Sequence, residues 1–111
     1  MDTLKRYRKI VSQVFNDHIR FAGENSGFQF VPILDEVNDR YVLMMQGWQG
    51  HKWVHICIAH LEIINEKIWV QYDGTDYGIA NDLLAAGVPK DRIVLGFKSP
   101  ELRKYTELAA A

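Results

Sequence analysis

The sequence predicts an α+β fold made of an N-terminal helix, a four-stranded antiparallel β-meander and two shorter C-terminal helices. Three observations carry this. Apolar residues recur every three or four positions over the first stretch, the spacing of one helix face. From Phe28 the pattern changes to extended runs separated by short turns. After Asp73-Gly74 the helix punctuation returns, with capping residues before and glycine after the apolar positions.

The first helix rests on Leu4, Tyr7, Val11, Val14, His18 and Phe21, a stripe widened by Ile10, Phe15 and Ile19. Asp2 or Thr3 can cap it and Gly23 can end it, before a loop of turn formers, Glu24-Asn25-Ser26-Gly27. Phe28 to Leu34 is the first strand. Pro32 lies inside it, and because proline donates no ladder hydrogen bond this strand belongs at an edge. Glu36 to Asp39 turns the chain into Arg40 to Trp48, Gly47 to Gly50 into Lys52 to Ile64, and Asn65-Glu66 into Lys67 to Tyr72. Connections this short join antiparallel neighbours.

The third strand alternates Trp53, His55, Cys57, Ala59 and Leu61 on one face with Val54, Ile56, Ile58 and His60 on the other. Neither face is cleanly polar, so both sides of the sheet centre should be covered, and a dimer or partner interface is the simplest cover on a short chain. Thr75, with Asp76 beside it, reads as the N-cap of a second helix bearing Ile79, Ala80, Leu83 and Leu84. Gly87 and Pro89 end that helix. Ile93-Val94-Leu95 is a short extended piece, and Ser99-Pro100 opens a third helix by the rule that proline follows the cap.

The composition narrows the function. At 111 residues the chain is one domain, residues 1–111. Its 48% hydrophobic content excludes disorder, and a single cysteine excludes an internal disulfide and a four-cysteine zinc site. A formal net charge of −1 argues against a mainly electrostatic nucleic-acid binder. Met1 to Arg6 lacks the apolar segment of a signal peptide, and the longest apolar run is too short for a membrane span, so a cytoplasmic location is expected. The charge is nonetheless divided. Residues 1–22 carry five basic and two acidic residues, and residues 23–51 one basic and four acidic. This reads as a solvated helix face beside an acidic turn, or as an interaction patch.

The candidate chemistry is thin. His51, His55 and Cys57 share a face of the third strand, with His60 on the other, but tetrahedral zinc needs four ligands or three and water. Cys57 with His55 lacks an orienting third group and oxyanion donors. Asp73 and Asp76 bracket Gly74-Thr75 at a strand-to-helix junction, where a capping turn explains them and no phosphate-loop motif is present. No metal ligand set, catalytic residue or cofactor site is therefore assigned. The tryptophans are more informative, because this residue dominates interface energetics. Trp48 and Trp53 flank one hairpin, Trp69 lies in the fourth strand, and with His55 they are the candidate partner-contact residues.

The block Lys67-Ile68-Trp69-Val70-Gln71-Tyr72-Asp73-Gly74-Thr75, followed by Gly78-Ile79-Ala80, resembles the signature of the XisI-like proteins. So do Gly87-Val88-Pro89 through Gly96-Phe97 and the ending Pro100 to Ala109. The N-terminal helix, Asp39-Arg40-Tyr41 and Gly47-Trp48 extend the resemblance over nearly the whole chain, with Asp73, Gly74, Thr75, Gly87, Pro89 and Gly96 as its structural positions. Asp76 stands where relatives commonly have Glu, and Asn65-Glu66 replaces their usual Asp-Gly turn. Glu fits the positive φ of a two-residue type I′ turn poorly, so a longer or bulged turn is expected there. The resemblance implies a cyanobacterial fdxN element excision controlling factor: a non-enzymatic regulator of DNA rearrangement. Its implied partners are a companion XisH-like protein and a site-specific recombinase; the homo-oligomer expected from the third strand is the other association. Two readings from other classes stand beside it. One is a small enzyme using His55 and Cys57 or Asp73 and Asp76, and the other is DNA binding through Lys5, Arg6, Arg8 and Lys9.

Overall fold

The computed structural model describes residues 2–23 and 26–111, so Glu24 and Asn25 of the expected first loop lie outside the described residues. Helix α1 spans Thr3–Ala22. The Asp2 side chain caps it by accepting from the Lys5 amide at 3.3 Å. Its buried stripe is Tyr7, Ile10, Val11, Val14 and Phe15. Phe21, placed on that stripe by spacing, is 85% exposed, because the last turn runs past the edge of the sheet's core.

The sheet has five strands in chain order: β1 (Gln29–Asp35), β2 (Arg40–Gln49), β3 (Lys52–Ile64), β4 (Lys67–Asp73) and β5 (Ile93–Leu95). The first four form the expected antiparallel meander, with the Pro32 strand at an edge. The expectation of four strands is corrected by β5, which pairs with β4 in parallel and makes the sheet mixed. Helix α2 (Ile79–Ala85) and a 3₁₀ turn (Lys90–Arg92) lie between β4 and β5, supplying the long connection that parallel neighbours need. A short α3 (Pro100–Arg103) follows, with Ser99 accepting from the Leu102 amide as its cap.

One sheet face carries the core. Tyr41 and Leu43 of β2, Ala59, Leu61 and Ile63 of β3, Ile68 and Val70 of β4, and Ile93 of β5 pack against α1 and the Ile79 and Leu83 side of α2. Each fully buried aliphatic or aromatic side chain contributes roughly 1.5–3 kcal/mol, so this layer is the main source of stability.

Two bulges set which residues face away from the helices. β2 alternates regularly, and its partners show that Ile58 of β3 is unpaired between Leu43↔Ala59 and Met44↔Cys57. The strict alternation expected for β3 is thereby corrected. Trp53, His55 and Cys57 share a face with His60 and Glu62, and Val54 and Ile56 lie on the side of Ala59 and Leu61. Gln71 is the inserted residue of β4, which puts Tyr72 beside His60 on the outer face.

Two turn expectations are also corrected. Asn65 and Glu66 have φ of 50° and 62° and join Ile64 to its partner Lys67 directly, so the hairpin is the two-residue positive-φ turn after all. Helix α2 begins at Ile79 with Gly78 at the N-cap, and Thr75 does not cap it. The Asp73 carboxylate performs that function across the junction. It accepts from the Thr75 amide at 2.9 Å, the Thr75 hydroxyl at 2.5 Å and the Ile79 amide at 2.8 Å. A carboxylate at the start of α2 serves its free amides better than a hydroxyl.

Candidate sheet-face interface

The outer face of the sheet is a set of cross-strand rows. Asp35, Arg40, Glu62 and Trp69 form a row that is charged over its first three strands, in which Arg40 pairs with Glu62 at 3.2 Å. The next row is Ile33, Val42, His60 and Tyr72, and the one beyond is Val31, Met44 and Cys57. Gln29, Gln46 and His55 form a second polar row, where the Gln46 amide donates to Gln29 at 3.1 Å. Trp48 and Trp53 close the series as an edge-to-face pair with ring centroids 5.2 Å apart.

This face is apolar and open at its centre. Ile33 is 50% exposed, Tyr72 49%, Trp53 47% and Trp48 65%. His55 is exposed, while Val31, Val42, Met44, Cys57 and His60 are half-buried by one another. His60 Nε2 is occluded and has no hydrogen-bond partner among the described residues. Burial pushes the Cys57 thiol up from its ordinary pKa, away from a reactive thiolate. Its Sγ lies 3.5 Å from the Ala59 carbonyl.

Of the candidate contact residues, Trp48, Trp53 and His55 come together at one end of this face. Trp69 lies on the same face near the opposite end, beneath the Arg103 guanidinium, which sits 5.2 Å from its ring centroid. Arg103 is itself tied to the Lys98 and Ala110 carbonyls, and the Ala109 amide donates to the Ile93 carbonyl. The C-terminal segment thus covers Trp69 and the buried Val94 and leaves the rest of the face bare. His51 falls in the β2–β3 turn, outside the strand expected to carry it. Sequence alternation missed His60 and Glu62 as members of this face, because nothing in the residue pattern marks Ile58 as the inserted position.

The other signature residues shape the fold. Asp73 is fully engaged in capping, with Gly74 donating to the Ile58 carbonyl at 2.7 Å, so Asp73 and Asp76 do not form an open pocket. Gly87, at φ 105°, ends α2 in the paired arrangement where its amide bonds Leu84 and the Val88 amide bonds Leu83. Pro89 follows it and starts the 3₁₀ turn. At Gly96 an added Cβ would lie 2.6 Å from Gln71 Oε1, the free end of a flexible side chain that would have to swing aside. Among the described residues no three His, Cys, Asp or Glu side chains are grouped to hold a metal ion.

On the helical side an open cavity of about 660 Å³ lies between α1 and α2, with His18 Nδ1 and the Tyr77 hydroxyl 2.7 Å apart on its wall. Burial lowers the His18 pKa and raises that of Tyr77. The charge division between residues 1–22 and 23–51 is partly closed within the chain. Arg8 pairs with Asp39 at 2.8 Å and donates to the Glu36 carbonyl, which holds the Asp39 carboxyl below its usual pKa. Desolvation and the Asp39 hydrogen bond push Tyr41 up to about 12. Arg6 donates to the Gly87 carbonyl, so two of the four basic residues considered for DNA are held by the fold. No helix among the described residues is long and apolar enough to cross a membrane.

Comparison with known proteins agrees with this architecture. The family model described as XisI protein matches residues 1–110. The crystal structure of fdxN element excision controlling factor XisI from Anabaena variabilis is 34% identical, with a TM-score of 0.83 over 99% of this chain and 100% of that one. A XisI-like protein from the same organism is 32% identical, with a TM-score of 0.87 over 97% of this chain and 99% of that one. No curated protein matches. A match over essentially the full length, shared with two solved structures of the same architecture, places the assignment beyond the fold alone: the chain belongs to the XisI family.

Proposed function

We propose that the protein is a non-catalytic regulatory factor in the control of DNA-element excision, working through protein–protein contact. The contacts that this reading names are an XisH-like companion protein and a site-specific recombinase. Membership of a family whose solved member is described as an excision controlling factor supports the regulatory role. The observation that carries the contact mechanism is the open sheet face. Its two central rows are apolar and its polar rows lie outside them, the anatomy of an interface core and rim. Trp48, Trp53 and His55 are its candidate contact residues.

The chemistry of the same face speaks against the enzymatic reading. His55 is exposed, and the neighbouring Cys57 thiol is shifted toward its neutral form. A nucleophile needs the reverse shift. For direct DNA binding, Arg6 and Arg8 are already committed to Gly87, Glu36 and Asp39. The test is co-expression with the XisH-like companion followed by size-exclusion chromatography. One peak containing both chains is expected. Separate elution at micromolar concentration would overturn the proposal.

A further inference from the structure

We infer that a second copy of this chain covers the open sheet face, related by a two-fold axis running across the strands between the two apolar rows. This rests on the reading of that face as a contact surface and names its occupant. Over β1 to β3 the row order reads the same both ways about that axis, polar, apolar, apolar, polar, with His60 the polar member of a central row. Rotation about it lays each row on its counterpart, so Val42 faces Met44 and His60 faces Cys57 of the second copy. The flanking rows then meet as well, and Glu62 comes opposite His55. One step further out Ile64, 38% exposed beyond Glu62 on the same strand, faces Trp53. An isologous interface requires this self-complementarity.

Two further features agree. The residues of the five rows, each taking about 4.8 by 6.8 Å of sheet, give a face of roughly 500 Å² of projected area per copy. Side chains standing off the sheet expose more than its projected area, which brings the face toward the roughly 800 Å² per partner of a standard interface. The C-terminal segment rises over Trp69 and Val94 and selects the axis. An axis along the strands would press it onto β1 at Asp35, whereas an axis across them sets it over the corner beyond Asp73, where β4 has ended. The helical side of each copy then faces outward.

Sedimentation velocity on the chain alone tests this. The wild type is expected to sediment as a dimer. Met44→Glu and the edge-strand variant Ile33→Glu are each expected to sediment as monomers with unchanged circular dichroism. The exposed variant His55→Asp sets a carboxylate against Glu62 of the second copy and is expected to weaken dimerisation by at least about tenfold. Adding Glu62→Lys to it restores association. A monomeric wild type, or a dimer that survives both glutamates, overturns the inference. An unchanged His55→Asp dimer overturns the axis. A monomer that still co-elutes with the companion would overturn this inference and leave the proposed function standing.

Discussion

Replacing Asp73 by Ala removes the acceptor that joins β4 to α2. Three donors lose their partner: the Thr75 amide, the Thr75 hydroxyl and the Ile79 amide. The hydroxyl can turn to water. The Ile79 amide cannot do so easily, because Ile79 is fully buried in the core. Leaving such a donor unpaired costs about 1–3 kcal/mol, and loss of a helix cap about 0.5–2 kcal/mol. These overlap, so the expected loss for Asp73→Ala is about 2–4 kcal/mol. In a domain of this size that lowers the melting temperature by roughly 8–16 °C. Thr75→Ala removes only the hydroxyl and is expected to cost under about 1 kcal/mol. Asp73→Asn keeps one carbonyl acceptor and falls between them. Urea and thermal unfolding of the three variants, followed by circular dichroism, give the order. A Thr75→Ala loss equal to that of Asp73→Ala would refute the assignment of the cap to Asp73.

Three other outcomes follow from the same structure. Glu66→Gly is expected to stabilise the protein by about 0.5 kcal/mol, since relief of roughly 1–2 kcal/mol of positive-φ strain exceeds the added unfolded-state entropy of about 0.4–1 kcal/mol. The Arg92 pair that it removes is long, at 3.9 Å, and largely exposed, so it subtracts only a few tenths; urea denaturation against Glu66→Gln separates the terms. Asp39→Asn is expected to destabilise the protein at neutral pH. The hydrogen bond from Arg8 depresses the folded carboxyl's pKa, so its contribution is complete above the unfolded value of roughly 3.9. That contribution disappears as pH falls through the folded value, and melting curves of both proteins should converge in acid. Trp48→Ala is expected to cost the fold at most about 1 kcal/mol, the worth of an exposed cross-strand aromatic pair, yet to weaken binding at the sheet face by about 2 kcal/mol or more if it anchors the contact. Calorimetric melting and binding titration read the two effects separately.

Much of this architecture could be read from residue order, because local rules governed it. Pro32 marked an edge, Ser99-Pro100 a helix start and Gly87 a helix end, each through a constraint acting over a few positions. The remaining elements depend on distant partners. β5 is three residues long, too short for any periodicity, and exists because β4 offers it a parallel edge. Asp73 caps a helix beginning six residues later, beyond the reach of the usual capping pattern. The bulge at Ile58 was hidden for another reason. Both faces of β3 are apolar at its centre, so moving the alternation by one residue changes nothing visible in the sequence. The grouping of Trp48, Trp53 and His55 was legible because all three precede that bulge. The addition of His60 and Glu62, which completes the palindromic rows, was not.

The role proposed for the protein comes down to whether it binds another protein. The light-scattering mass of the peak obtained by co-expressing this chain with its XisH-like companion measures that directly. A mass accounting for both chains in one complex, reduced by substitution at the sheet face, is the expected result. Two peaks with the masses of the separate proteins would contradict it.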